Sequence, residues 1–223
     1  MKSVIITGAT GMVGKGVLLE CLDHTEIKEV LVIGRNTVGI KHPKLKELIH
    51  QDFTDFTSVS NQLTGYDACF FCLGVSAAGL KEEQYKRITY DFTLTLAKTL
   101  FAINPEMTFN YVSGVGTDST EKGRMMWARV KGKTENDLLK MGFRQTFMFR
   151  PGMIIPLRGI KSATKSYQFM YDYFMWLVKI VKKVSPNSVV TTTQIGEAMI
   201  NSVQKGFNKK VLEPKDIIIL SGN

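Results

Sequence analysis

Residues 3–16 read Ser-Val-Ile-Ile-Thr-Gly-Ala-Thr-Gly-Met-Val-Gly-Lys-Gly, and this stretch decides the fold. Val4, Ile5 and Ile6 form an unbroken apolar run, the pattern of a strand covered on both faces in a parallel sheet. Gly8, Gly11 and Gly14 follow at a spacing of three. Val13, Val17, Leu18, Cys21 and Leu22 then recur at helical spacing. The reading is a strand over residues 2–7, a glycine turn, and a helix over residues 12–23. In that context Gly8 allows the tight turn, Gly11 lets the backbone approach a ligand, and Gly14 lets the helix lie close to the strand. A helix start offers free N–H groups and a partial positive charge, so the turn suits the pyrophosphate of a dinucleotide. A glycine-rich turn without a ligand is the alternative.

Outward from this turn, strands and helices alternate. Strands are expected over Glu29–Gly34, Leu45–His50, Asp67–Leu73, Thr108–Ser113 and Arg144–Arg150. Tyr85, Ile88, Phe92, Leu96, Leu100 and Ile103 mark the core face of one long helix over Leu80–Ile103, stopped by Pro105. Residues 125–141 read as a further helix carrying Trp127 and Lys131. The alternation predicts an α/β fold, a doubly wound parallel sheet of Rossmann type. Ligands of such sheets sit at the carboxyl ends of the strands, and Gly8, Arg35, Asp52, Gly74, Ser113 and Pro151 all fall at that edge.

Each of these residues has a chemical reading. The second strand ends in Gly34-Arg35-Asn36 with no acidic residue to bind ribose hydroxyls. Arg35 instead offers a planar fork of donors suited to a 2′-phosphate, which favours NADP over NAD; a plain surface arginine is the alternative. Asp52 is placed to accept from an adenine amino group with Phe53 beside the ring, or to cap the short helix that follows. Gly74 leaves room for ribose and pyrophosphate to cross the end of the fourth strand.

The last third is less regular. A helix is expected over Tyr167–Val184, apolar on most of its circumference. Packing on the main domain, a homodimer interface, a cover over substrate and contact with a membrane surface are its alternatives. Thr191–Lys205 reads as another helix, with Thr191 and Gln194 set for a capping box. No linker or repeat interrupts the chain. Residues 1–223 are therefore read as one domain, with residues 153–223 as a small C-terminal helical lobe.

Composition narrows the function classes. The 223 residues are 44% hydrophobic and 22% charged, ordinary for a globular domain with a substantial core. The formal charge of +9 comes from scattered lysines, without a basic helix or aromatic–basic interleaving, so nucleic acid is not an expected partner. Cys69 and Cys72 lie in one strand, three apart, and so point to opposite faces; with Cys21 they read as small core side chains, and no metal is expected. The chain enters its first strand without a signal peptide and has no bilayer-spanning run, so a cytoplasmic location is expected.

Taken together, Thr7-Gly-Ala-Thr10-Gly-Met12-Val13-Gly14, Gly34-Arg35, Asp52-Phe53, Leu73-Gly74, Ser113, Lys131 and Arg150-Pro151-Gly152 resemble the atypical short-chain dehydrogenase/reductases. The resemblance covers roughly residues 1–155 and extends to the small NAD(P)-binding proteins related to Tat-interacting oxidoreductase-like and NmrA-like proteins, often labelled epimerase/dehydratase-like. It implies that Gly8, Thr10, Gly11, Met12, Val13, Arg35, Asp52, Phe53, Leu73, Gly74, Lys131 and Pro151 bind the cofactor. It also implies catalytic roles for Ser113 and Lys131.

The family's tyrosine, four residues before its lysine, is Trp127 here. An indole N–H only donates a hydrogen bond and is no general acid/base. Two readings follow. In one, Lys131 is the proton donor and Ser113 holds a carbonyl oxygen, in an NADP-dependent oxidoreductase or epimerase acting on a small carbonyl or sugar-like substrate. In the other, Lys131 only binds the nicotinamide ribose of a non-catalytic NADP(H)-sensing regulator with a protein partner. Tyr85, Tyr90 and Tyr111 are alternative acids or packing residues. Asp118, Glu121 and Arg124 gate the site, bind an anion, or form a solvated loop.

Overall fold

The structure, a computed structural model, describes residues 1–160 and 188–222. The chain runs β1 (Lys2–Thr7), α1 (Met12–Asp23), β2 (Ile27–Gly34), β3 (Leu45–Ile49), a 3₁₀ turn (Thr57–Leu63) and β4 (Ala68–Phe71). It continues through α2 (Glu82–Lys86), a π turn (Arg87–Asp91), α3 (Phe92–Ile103), β5 (Thr108–Val112), α4 (Met126–Lys140), β6 (Gln145–Phe149) and β7 (Met153–Ile155). The remaining elements are β8 (Val189–Thr191), α5 (Thr192–Lys205), β9 (Val211–Leu212) and α6 (Pro214–Ser221).

Seven strands form one sheet in the order β3-β2-β1-β4-β5-β6-β9, every neighbouring pair parallel. The winding direction reverses between β1 and β4, which is where ligands of such sheets bind. A separate parallel pair joins β7 to β8. The doubly wound sheet expected from the alternation is thus present.

The apolar run of β1 explains why it sits at the centre. Val4, Ile5 and Ile6 are fully buried, and their side chains alternate between two cores. Val4 and Ile6 pack with Val17, Leu18, Ala198 and Met199 from α1 and α5. Ile5 packs with Phe71, Leu96, Leu100 and Phe109 on the other face. Cys69 joins the second core and Cys72 borders the first, and both are free thiols, as the strand geometry requires.

The single helix expected over Leu80–Ile103 is instead α2 and α3 joined by the π turn at Arg87–Asp91. A π turn widens the helix and resets which side chains share a face. Tyr85, Leu96 and Leu100 stay buried, whereas Ile88 and Phe92 turn onto the ligand cleft described below.

The described part of the C-terminal region is built into the domain. β9 pairs with β6 at Met148 and Phe149 and extends the sheet, and α5 lies along α1. The helix expected over Tyr167–Val184 lies outside the described residues. The expected capping box is formed: Thr191 Oγ1 accepts from the Gln194 N–H at 3.0 Å, and Gln194 Oε1 accepts from the Thr191 N–H at 3.0 Å. Thr191→Ala should therefore cost about 1 kcal/mol and lower Tm by about 2–4 °C, read in a thermal melt. Among the described residues, no helix is long and apolar enough to cross a membrane.

Candidate active site

The turn after β1 is shaped by close backbone approaches. Gly8 has φ +69°, and a Cβ there would lie 2.6 Å from the Cys72 and Leu73 backbone at the end of β4. A Cβ on Gly14 would lie 2.3 Å from the Gly8 carbonyl oxygen. Both glycines are required by space. Gly11 donates its N–H to the Gly8 carbonyl at 2.9 Å and begins α1 without a side-chain cap. The first turn of α1 holds no acidic residue. The N–H groups of Met12 and Val13 thus have no intrahelical partner, and the exposed Thr10 stands beside them. These features make an anion cradle with no competing carboxylate.

A cleft opens from this cradle along the ends of β1, β2 and β4. Gly8, Thr10, Gly34, Arg35, Phe53, Leu73, Ile88 and Phe92 line it, apolar side chains beside a backbone turn and one guanidinium, a composition suited to a nucleotide. The Leu73 N–H donates to Thr7 Oγ1 at 3.3 Å, tying β4 to β1 at the cleft floor. Phe53 is buried, edge-on to Phe56 at 5.5 Å between centroids. Arg35 is exposed, and among the described residues its guanidinium has no acidic partner. At Gly74 an added Cβ would meet no other atom of the described residues within 4 Å.

Asp52 precedes Phe53 and is exposed. Its carboxylate accepts from the Thr54 N–H at 2.8 Å and the Thr54 hydroxyl at 2.5 Å, and these bonds hold it below the usual carboxylate range. It closes a local turn. The turn leading into the 3₁₀ segment is made by Asp55, which accepts from the Thr57 N–H at 2.8 Å.

Farther along the same edge, α4 brings Lys131 against the end of β5. Its Nζ donates to the Ser113 backbone carbonyl at 2.5 Å. Burial pulls the amine down to about 8, against the opposite influence of Glu135. The Ser113 hydroxyl, expected to hold a carbonyl oxygen, has the Phe149 backbone carbonyl 3.2 Å away. It donates to Glu135 Oε1 at 2.5 Å, inside the protein. Glu135 is only 1% exposed and also accepts from both Nε and Nη2 of Arg150. Arg150 reaches on to Ser119 Oγ at 2.6 Å and Glu213 Oε1 at 3.4 Å.

The surrounding loop is pinned to this network. A Cβ on Gly132 would fall 1.8 Å from the Asp118 carbonyl oxygen, so the loop lies directly on α4. The Pro151 carbonyl accepts from the Val115 N–H at 3.1 Å. Trp127 is half-buried, with its ring against Gly116. Asp118 accepts from the N–H groups of Thr120 and Gly123, and Glu121 accepts from Asn136, so both serve the loop's own structure. Tyr85 and Tyr111 are buried, and burial pushes both phenols up. Tyr90 donates to Asp137 at 2.7 Å. These three tyrosines pack or bridge, and Lys131 is the titratable donor that α4 brings to this edge.

Sequence reasoning passed over Glu135 and saw Arg150 only as part of a motif. A signal existed: Glu135 is one helical turn beyond Lys131, on a face shared with Thr134 and Leu138, where a carboxylate needs a partner.

Comparison with known proteins agrees with this geometry. The profile of the NAD dependent epimerase/dehydratase family matches residues 4–125. The chain is 25% identical over 228 residues to "Protein FMP52, mitochondrial" of Candida albicans, covering 99% of this chain and 94% of that one. It is 28% identical over 157 residues to rat "Protein HTATIP2", covering 69% and 67%. Among solved structures, the Bordetella bronchiseptica enzyme WbmF in complex with NAD+ and UDP superposes with TM-score 0.70 at 14% identity, covering 100% of this chain and 78% of that one. A short chain dehydrogenase family protein from Francisella tularensis gives TM-score 0.66 at 17% identity, covering 96% of each. With its glycine cradle, switch-point cleft and matching profile over more than half its length, the chain belongs to the NAD dependent epimerase/dehydratase family.

Proposed function

We propose that this chain is an NADP-dependent oxidoreductase- or epimerase-type enzyme acting on a small carbonyl or sugar-like substrate, with Lys131 as its proton donor. The observation that carries the reading is the half-buried Lys131 amine, held 2.5 Å from the Ser113 carbonyl at the end of β5, at the edge that also holds the glycine cradle. When bound, the nicotinamide supplies or accepts a hydride at the substrate carbon. The chain's own residues do the rest. The α1 N-terminus and the Gly8 turn hold the diphosphate, Arg35 holds the 2′-phosphate, and the Lys131 ammonium gives its proton to the substrate oxygen. Val75 and Val115 on the strand-end loops and Met125 at the start of α4 are exposed apolar side chains, which favours a carbonyl compound with an apolar body.

Arg35→Asp tests the cofactor half. NADPH affinity should fall about a hundredfold, the ~3 kcal/mol of a lost charge-assisted contact, while NADH affinity changes by less than about threefold. Calorimetric titration reads both; equal effects on the two cofactors would remove Arg35 from the 2′-phosphate site. Turnover of NADPH against a panel of carbonyl compounds tests the chemical half.

Trp127 at the tyrosine position and the engaged Ser113 hydroxyl favour a second reading, a non-catalytic NADP(H)-sensing regulator. It predicts tight cofactor binding, no turnover with any carbonyl, and a protein partner captured in one redox state of the cofactor only. The fungal relatives carry "mitochondrial" in their names. Cell fractionation separates that compartment from the cytoplasm expected from the sequence.

A further inference from the structure

The Glu135–Arg150 pair has no part in the reaction as proposed, yet it is among the most buried charge in the molecule, with side-chain exposures of 1% and 12%. A buried ion pair is weak evidence for stability, because desolvation cancels much of its attraction. Its placement is more telling. Glu135 lies one turn after Lys131 on α4 and takes the hydroxyl of Ser113, while Lys131 takes the carbonyl of the same serine. Ser113 is thereby gripped at both ends by two residues of one helix.

We propose that Glu135, neutralised by Arg150, is the positioning residue of this site: it fixes Ser113 so that the serine carbonyl holds the Lys131 amine at the crevice. On this arrangement the Ser113 hydroxyl gives its proton inward and does not donate to a substrate oxygen. Arg150 carries the grip outward to Ser119 in the loop and Glu213 at the start of α6. The groups facing Glu135 are Ser113 from the end of β5, Arg150 from the end of β6, and Tyr111 from β5. Lys131 faces it from its own helix. Arg150 and Lys131 are the cations among them, so Glu135's charge is shared between the pair and the amine.

The proposal rests on Lys131 being the proton donor, but its test reads the amine itself. Trace acetylation with acetic anhydride across a pH series, followed by peptide mass spectrometry, gives the Lys131 titration midpoint and reactivity without any turnover. In Glu135→Gln the midpoint should fall by about one pH unit or more, since a neighbouring carboxylate that holds the proton is gone and Arg150 remains. The double variant Glu135→Gln with Arg150→Met removes both charges and should bring the midpoint back toward the starting value. Ser113→Ala leaves the ion pair whole, and it should label Lys131 severalfold faster because the carbonyl that holds the amine is loosened.

A Glu135→Gln protein with a native melt and an unmoved midpoint overturns the proposal, as does unchanged labelling in Ser113→Ala. If Glu135→Gln fails to fold, the double variant and Ser113→Ala decide. Where turnover is measurable, Ser113→Ala should lower kcat less than tenfold with KM unchanged. A larger loss means the hydroxyl touches substrate, and the proposal falls. Absence of turnover in the unaltered protein defeats the enzyme reading and leaves the labelling result standing.

Discussion

Lys131→Met is expected to lower NADPH-dependent turnover by about a thousandfold while NADPH affinity falls no more than about tenfold. A positioned general acid contributes about 10²–10⁴ in rate, and among the described residues Tyr111 is buried and Tyr90 is bonded to Asp137. The expected pH dependence follows from the same burial. The amine must carry its proton to donate it, and burial brings it down to about 8. The reductive kcat/KM should therefore be full below that value and lost as pH rises through it. The reverse, oxidative direction needs the neutral amine and should rise over the same interval. Steady-state kinetics from pH 6 to 10, paired with calorimetric cofactor titration, read both limbs. A Lys131→Met protein that keeps turnover within tenfold sinks the assignment, and so does a profile that stays flat through about 8. Cofactor binding with no turnover in either protein would move the chain to the regulator reading.

How far the sequence carries depends on the range of the interactions involved. The sheet was legible because a buried parallel strand writes itself as a short apolar run: Val4-Ile5-Ile6 and Ala68-Cys69-Phe70-Phe71 need no distant partner to be recognised. The capping box at Thr191 and Gln194 was legible for the same reason, since both partners lie within three residues. The π turn was hidden. Ile88, Phe92, Leu96 and Leu100 recur every four residues, a spacing that an α-helix and a widened turn both tolerate. The role of Ser113 was hidden more deeply. Its hydroxyl is claimed by Glu135, whose own partner Arg150 lies fifteen residues on, in another element. No local pattern marks such a pairing; only the approach of α4 to the ends of β5 and β6 creates it. Asp52 illustrates the same limit: its residue type suits adenine and a turn equally, and its Oδ1 closes a turn with Thr54, a bond that does not exclude the other role.

The glycines of the crevice separate into two kinds, and Gly8→Ala with Gly74→Val should expose the difference. Gly8 sits at φ +69° with the β4 backbone 2.6 Å from any added Cβ. An alanine there costs about 1–2 kcal/mol for the left-handed backbone, and more for pushing the turn off Cys72 and Leu73, where strand and turn have no flexible atom to yield. A loss of about 3 kcal/mol should lower Tm by about 6–12 °C in a domain of this size. The displaced turn would also drag the start of α1 away from the diphosphate, so NADPH affinity should vanish with the stability. A Cβ on Gly74 would meet no other atom of the described residues within 4 Å, so a valine there should leave the melt unchanged. Yet if ribose and pyrophosphate cross the end of β4, the valine occupies their path, and NADPH affinity should drop at least tenfold. Stability and binding thus fall together at Gly8 and part company at Gly74. A Gly74→Val protein that binds NADPH as tightly as the parent would show that the cofactor takes another route, and the cleft along β1, β2 and β4 would then need a different occupant.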